Sequence, residues 1–364
     1  MARLSGSISA VLLYDVAEEI RLDRSRQLLG TGPPERRPDF RRPAPEYVRF
    51  EHPPIVYSAG EVRHAGDAPW SATVKLYDYG VMSVAFELPF DCDWNDVTNL
   101  ATRWIGSSDI ERHAKEIARS QVNRIEKALV KPYSDWTMED YYAIHVRSAR
   151  GPDDRALTSS ELISEYGGRI SQIVRGESIP LSESETAEIL KEWLSYYPND
   201  LLIVTWMAAF VYDTPEGALP ILQLLEYANT QLLELRHYDD LLTKVLGGVY
   251  DSLERRRGIV SRWKIAGEAE RLNRIRLEVT ELTERVDNSI KFLGDMFYTR
   301  AYRLAARRIG VTDYRLLVDE KLKTAADLYQ SMVEEFHQAR TFVLEVMVVA
   351  ILIIELVFLF RGKS

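Results

Sequence analysis

Residues 341–360 read TFVLEVMVVAILIIELVFLF, and this stretch decides the fold that we predict for the C-terminal part of the chain. Fifteen of its twenty residues are Leu, Ile, Val or Phe, and Glu345 and Glu355 interrupt the run. Inserting the apolar side chains into a bilayer gains about 4 to 9 kcal/mol, whereas a charged residue at the bilayer centre costs about 2.5 to 3.5 kcal/mol. Because both glutamates lie off-centre, the stretch predicts a transmembrane helix, flanked by Arg361. A buried helix of a bundle is the alternative interpretation.

Two long helices are predicted before this stretch, each with one apolar seam. In the second helix, apolar residues recur in steps of three and four, a spacing typical of coiled coils. The first helix repeats the spacing from Leu272 to Met296, and Gly310 with Thr312 predicts the turn between them. The seam of the second helix consists of Val318, Leu322, Ala325, Tyr329, Met332 and Phe336. Periodicity alone leaves open whether this seam packs within the chain or between the subunits of a homo-oligomer.

The first part of the chain alternates strand and helix patterns. SISAVLLY (7–14) and YYAIHVRS (141–148) predict strands, and Asp78-Tyr79-Gly80 predicts a hairpin turn. The apolar run LLIVTWMAAFVYD (201–213) predicts one strand buried on both faces. Helices are predicted to start near Trp94 and Ile110. The predicted fold class is therefore α+β: a mixed α+β domain, then long antiparallel helices, then one C-terminal transmembrane helix.

This pattern divides the chain into six segments. We assign the first strand and helix to 1–30, a Pro/Arg-rich linker or loop to 31–53, the rest of the α+β domain to 54–213, a connecting helix to 214–257, the helical hairpin to 259–340, and the transmembrane helix to 341–360. Gly247-Gly248 and Gly258 are the predicted breaks in the helical part.

Composition and motifs argue against several kinds of chemistry. The net charge of -9 argues against nucleic acid as the main partner, and the single cysteine, Cys92, excludes a disulfide framework within the chain. We find no phosphate-binding glycine motif and no paired histidines, so no cofactor, no metal site and no catalytic residue is predicted. Asp91, Asp93 and Asn95 resemble the opening of a calcium loop, but a helix cap at Asp93 or Asn95 is the preferred interpretation.

One run of charged residues lies in the connecting helix, at Arg236, His237, Asp239 and Asp240. These residues could form a functional site. They are equally consistent with structural salt bridges, because Arg236 and Asp240 are one helical turn apart.

The C-terminal residues also resemble a known family. Lys321-Leu322, Ala325, Leu328, Arg340, Leu344-Glu345 and Glu355 are similar to the end of the required-for-meiotic-nuclear-division family, the YagE-like group with domain of unknown function 155. QLLELRHYDDLL (231–242) and YDYGVMSVAFEL (77–88) resemble further segments of that family. The resemblance implies an oligomeric, membrane-anchored protein without enzymatic activity, with most of the chain in the cytoplasm at a prokaryotic inner membrane.

Two functional hypotheses follow from these observations. The first is a membrane-anchored scaffold or interaction protein, oligomeric through its helical region and bound to the lipid bilayer and to a protein partner. Its interface residues would be Arg340, Leu344, Glu345, Glu355 and Arg361. The second is a membrane ion transporter with a cytoplasmic sensor domain, which the single predicted span disfavours.

Overall fold

The computed structural model describes residues 3–30, 53–63, 69–254 and 296–361, with helical positions between 267 and 284. The described chain forms two compact units, which we consider separately. The sheet unit comprises Met1–Arg236 and Val286–Tyr314, and the helical unit comprises His237–Arg285 and Arg315–Ser364. The predicted Pro/Arg-rich linker, residues 31–53, lies outside the described residues apart from residue 53.

The sheet unit is built on one mixed sheet of eight strands in the order β2-β3-β4-β1-β5-β8-β7-β6. Only β5 and β8 pair in parallel among the described strands. Two strands are unusually long, β1 with 18 residues and β5 with 22. The strands are β1 (Arg3–Ile20), β2 (Ile55–Val62), β3 (Trp70–Leu76), β4 (Val81–Asp93), β5 (Leu129–Arg150), β6 (Trp193–Leu194), β7 (Leu201–Val204) and β8 (Ala208–Tyr212).

The described helices are interspersed with these strands along the chain. They are α1 (Leu22–Leu29), α2 (Trp94–Trp104), α3 (Ser108–Ile125), α4 (Ser159–Arg175), α5 (Glu183–Ile189), α6 (Pro215–Glu254), α7 (Met296–Ile309) and α8 (Val311–Arg361). Local sequence explains where several of them begin. Asp93 caps α2 by accepting hydrogen bonds from the backbone N–H groups of Asn95 and Asp96 at 2.8 and 3.0 Å, so the predicted helix cap is confirmed.

The main core lies on one face of the sheet. Alternate residues of β1, such as Leu4, Ile8 and Leu12, are fully buried there, because successive side chains of a strand point to opposite faces. α1 to α4 contribute the other half of this core, with Val97 of α2 and Ile170 of α4 among their buried residues. The strand predicted at 7–14 is confirmed inside the longer β1.

The apolar run 201–213 differs from its prediction as one strand. It forms two antiparallel strands, β7 and β8, joined by a turn at 205–207. The Thr205 hydroxyl donates to the carbonyl of Ala208 at 2.8 Å and also accepts from the Ala208 N–H. This side chain closes the turn, and both strands remain buried. The predicted hairpin turn at 78–80 is confirmed, with Gly80 at φ 97°.

Three of the six residues of the predicted seam are buried in the helical unit. Val318 and Ala325 are fully buried and Met332 is 1% exposed, while Leu322 and Tyr329 are half-buried; the Phe336 side chain lies outside the described residues. Val318, Ala325 and Met332 are therefore covered within the single chain. α6 continues through Gly247 and Gly248, where we predicted a break, because Leu246 and Val249 on either side are buried and hold the helix. The predicted break at Gly258 lies outside the described residues.

The predicted transmembrane helix is wrong. Among the described residues, no helix has an apolar stretch sufficient to cross a bilayer. Glu345 and Glu355 are both exposed within the stretch 341–360. The predicted fold class is corrected accordingly to an eight-stranded mixed sheet plus helices. The same finding overturns the predicted tail anchor and the predicted localisation at the inner membrane.

Candidate functional site

The predicted charge cluster separates into two ion pairs. In the sheet unit, Arg236 at the middle of α6 binds the carboxylate of Glu139 on β5, with Nη1 2.6 Å from Oε2, and its guanidinium lies 5.9 Å from the ring of Tyr314. Burial raises the pKa of Glu139, although the positive charge of Arg236 opposes this shift. Arg236 therefore connects α6 to the sheet.

The second ion pair belongs to the helical unit. Lys321 Nζ lies 2.5 Å from Asp239 Oδ1 and 2.5 Å from the hydroxyl of Thr243, which links α8 to the second half of α6. The His237 ring contacts Tyr238 edge-on at 5.7 Å, and Asp240 is exposed. Each ion pair thus joins two elements of one unit, as expected for structural salt bridges.

The second face of the sheet carries a polar contact that the sequence did not predict. Five residues within nine positions of α6 are polar and at least 94% buried against this part of the unit. They are Glu226, Asn229, Thr230, Gln231 and Glu234. Such residues are rarely buried unless they are paired. We call the contact of Glu226 and Thr230 with Lys75, Tyr77 and Tyr79 the polar ladder.

The polar ladder is held by side-chain hydrogen bonds. Lys75 on β3 forms an ion pair with Glu226, and the negative charge of Glu226 acts with burial to raise the pKa of the neighbouring Tyr77. The Tyr79 hydroxyl lies 2.9 Å from that of Thr230. Burial raises the pKa of both tyrosines well above the ordinary value, so both hydroxyls stay protonated and can donate.

Helix and strand geometry explain this alignment. Residues four apart on a helix are separated by about 6 Å along its axis, and residues two apart on a strand by about 6.6 Å. The distance between Glu226 and Thr230 along α6 therefore matches the distance between successive same-face residues of β3 and of the turn that follows it. A small apolar cluster of Leu13, Val81 and Leu233 packs beside the ladder.

Not every polar atom in this layer is satisfied. Tyr302 of α7 donates to Gln231 Oε1, which ties α7 to α6. Within the described residues, Gln231 Nε2 and Glu226 Oε1 are buried without a hydrogen-bond partner. No group of histidine, cysteine or acidic side chains among the described residues is placed to hold a metal ion. The ladder is therefore a polar interface between a helix and a sheet.

The predicted interface residues lie on the last part of α8. Leu344 is 49% exposed, and the neighbouring apolar side chains up to Val357 are exposed to a similar degree. Glu345 and Glu355 are exposed, while the side chains of Arg340 and Arg361 lie outside the described residues. Among the described side chains, Glu345 and Glu355 form no ion pair with the charged residues of α6 that belong to the helical unit.

Comparison with known proteins places the chain in a family defined by its sheet unit. The family model described as "Uncharacterized protein MJ0711, N-terminal domain" matches residues 5–218, so the chain belongs to this family. The uncharacterized protein MJ0711 of Methanocaldococcus jannaschii is 20% identical over 195 residues, which cover 54% of this chain and 60% of the relative. No solved structure matches the chain.

These matches correct the resemblance described above. They lie in the N-terminal part of the chain and name the MJ0711 family, and they give no support to the required-for-meiotic-nuclear-division family. The C-terminal motif that suggested that family is short and aliphatic, and apolar residues at helical spacing occur in many unrelated helices.

Proposed function

We propose that this protein is an assembly scaffold whose copies associate through residues 341–357 of α8. The observation that supports the proposal is the exposure of this segment. Its apolar side chains, from Phe342 at 60% to Val357 at 51%, are exposed on every side of the helix. Exposed apolar surface of this extent is typical of an interaction site.

The spacing of the segment favours a helical partner. The seam that is buried at Val318, Ala325 and Met332 continues in the same steps of three and four. The continuing positions are Val343, Val346, Ala350, Ile353 and Val357, all of them apolar. In this register, Glu345 and Glu355 occupy positions c and f of the heptad, which face away from the seam. The two carboxylates therefore stay in water when the seam is covered.

A second copy of the chain is the partner that this pattern fits best. Identical helices supply matching seams, and most soluble oligomers are symmetric assemblies of one chain. The helix positions on either side of the seam are also apolar, and they include Met347, Val349, Ile354 and Leu356. A two-helix contact would leave these side chains exposed, so the pattern favours assemblies of three or more helices.

Sedimentation equilibrium of the purified full chain tests this proposal. We expect a trimer or larger assembly for the wild type and a smaller species for the V346E/I353E variant, which places charges in the seam. The matched control is V348E/L352E, which adds the same charge at positions c and f and should assemble like the wild type. A wild-type monomer, or equal dissociation of both variants, would contradict the proposal. Pelleting with lipid vesicles in place of self-association would also overturn it.

A further inference from the structure

A rigid loop of the sheet unit presents two tyrosines to solvent. The buried carboxylate of Asp200 accepts hydrogen bonds from the backbone N–H groups of Tyr196 and Tyr197 at 2.7 and 2.9 Å. The Ser195 hydroxyl donates to the carbonyl of Tyr197 at 2.6 Å, and this closes the loop. The two tyrosine rings lie edge to face with centroids 4.7 Å apart, and each residue is 46% exposed. Fixing a loop in this way removes the entropic cost of ordering it upon binding.

α7 lies beside this loop and is attached to it at two points. Phe297 contacts Tyr196 edge-on at 5.5 Å near the start of the helix. Near its end, Arg307 forms an ion pair with Glu192, the residue before β6. These contacts are ten residues apart on α7, which corresponds to about 15 Å along the helix axis. The exposed ring of Trp193 belongs to the stretch between the two attachment points.

Two arginines of α7 lie between the same attachment points. Arg300 and Arg303 are exposed, and in the described part of the chain neither forms an ion pair. Arg307 and Arg308, in contrast, are paired with Glu192 and Glu188. The surface therefore combines exposed aromatic rings on one side with two available guanidinium groups on the other. We call Trp193, Tyr196, Tyr197, Arg300 and Arg303 the aromatic–arginine strip.

We propose that the aromatic–arginine strip binds a short stretch of single-stranded nucleic acid. Unpaired bases stack on exposed aromatic rings, and guanidinium groups bind the backbone phosphates, the two contacts by which sequence-independent single-strand binders work. An acidic peptide would satisfy the arginines but would supply no bases to stack on the tyrosines. The net charge of -9 repels a polyanion, so binding is weak and depends strongly on salt.

The proposal is tested by fluorescence anisotropy with a labelled oligouridine and the full chain. Two phosphate contacts predict a slope of about -1.4 in a plot of log K against log salt concentration. The R300A/R303A variant should flatten this slope toward zero. The Y196L/Y197L variant should weaken binding at least about thirtyfold, because two stacking contacts are lost, with the slope unchanged. The matched charge control is K115A/R119A on α3, where both residues are exposed. This control should bind like the wild type.

Several outcomes would overturn the proposal. Absence of binding by the wild type at low salt is one, and equal loss of binding in K115A/R119A is another, because that would indicate a general charge effect. A duplex of the same length that binds as well as the single strand would exclude base stacking. Competition by polyglutamate at equal charge concentration would identify an acidic protein segment as the partner. Circular dichroism confirms that each variant is folded.

Discussion

Replacing Lys75 with methionine tests whether the polar ladder holds α6 on the sheet. The side chain of Glu226 is 5% exposed and that of Lys75 is 20% exposed, so the substitution leaves a buried carboxylate without its cation. Removing one partner of a buried ion pair costs about 3 to 5 kcal/mol. We expect about 3 kcal/mol here, at the lower end of this range, because the Lys75 side of the pair is partly exposed to solvent. At about 2 to 4 °C per kcal/mol for a unit of this size, the midpoint of thermal unfolding falls by about 6 to 12 °C.

Replacing the other partner of this ion pair, Glu226, should cost less stability. In E226Q, the lysine ammonium can reach solvent because its side chain is partly exposed, and we expect a loss of about 1 kcal/mol. The double variant K75M/E226M removes both charges and should lie within about 1 kcal/mol of the wild type. Tryptophan fluorescence during urea unfolding measures these changes in the sheet unit, since six of the seven tryptophans lie within residues 1–236. Equal losses in K75M and in the double variant would refute the reasoning.

Three further substitutions test other parts of the structure. G80A should destabilise the sheet unit by at least ~2 kcal/mol, because Gly80 has φ 97° and a Cβ would lie 1.8 Å from the Ala17 carbonyl oxygen; wild-type stability in urea unfolding would contradict this. Burial lowers the pKa of His145, so the folded protein keeps this ring neutral while the unfolded chain protonates it below about pH 6.5. Its contribution to stability is complete above that pH and is lost as the pH falls toward the folded pKa, and H145Q should show a smaller decrease in unfolding free energy between pH 7 and pH 5 than the wild type. M332A should cost the helical unit about 2 to 5 kcal/mol, measured by hydrogen exchange of the amides in α8, and unchanged protection would argue against a packed seam.

Local patterns predicted the parts of the fold that local interactions determine. Alternating and continuous apolar residues identified strands inside β1 and β5, and the Asp78-Tyr79-Gly80 turn and the cap at Asp93 followed from backbone preferences. The division of 201–213 into two strands was missed, because the apolar composition concealed the turn that Thr205 closes. The apolar stretch of α8 was misread for a related reason: composition alone does not show the environment of a helix.

The polar ladder could not be predicted from local sequence. Lys75 and Glu226 are 151 positions apart, as are Tyr79 and Thr230, so no short-range pattern connects them. A signal was nevertheless present on α6. Glu226, Thr230 and Glu234 recur at intervals of four in a helix that is otherwise largely apolar, which indicates a polar stripe facing a polar partner.

The position of β1 in the sheet has a consequence for synthesis of the protein on the ribosome. This strand is made before the other strands of the sheet, yet it lies between β4 and β5 and pairs with residues as far along the chain as Arg150. At a translation rate of about 5 to 20 residues per second, the edge of β1 that later pairs with β5 stays unpaired for roughly 7 to 26 seconds after β1 has been made. An apolar strand with an unpaired edge readily pairs with other chains. Production of the full chain should therefore depend on chaperones that bind nascent apolar segments, and slower translation before residue 150 should lower the yield of folded protein.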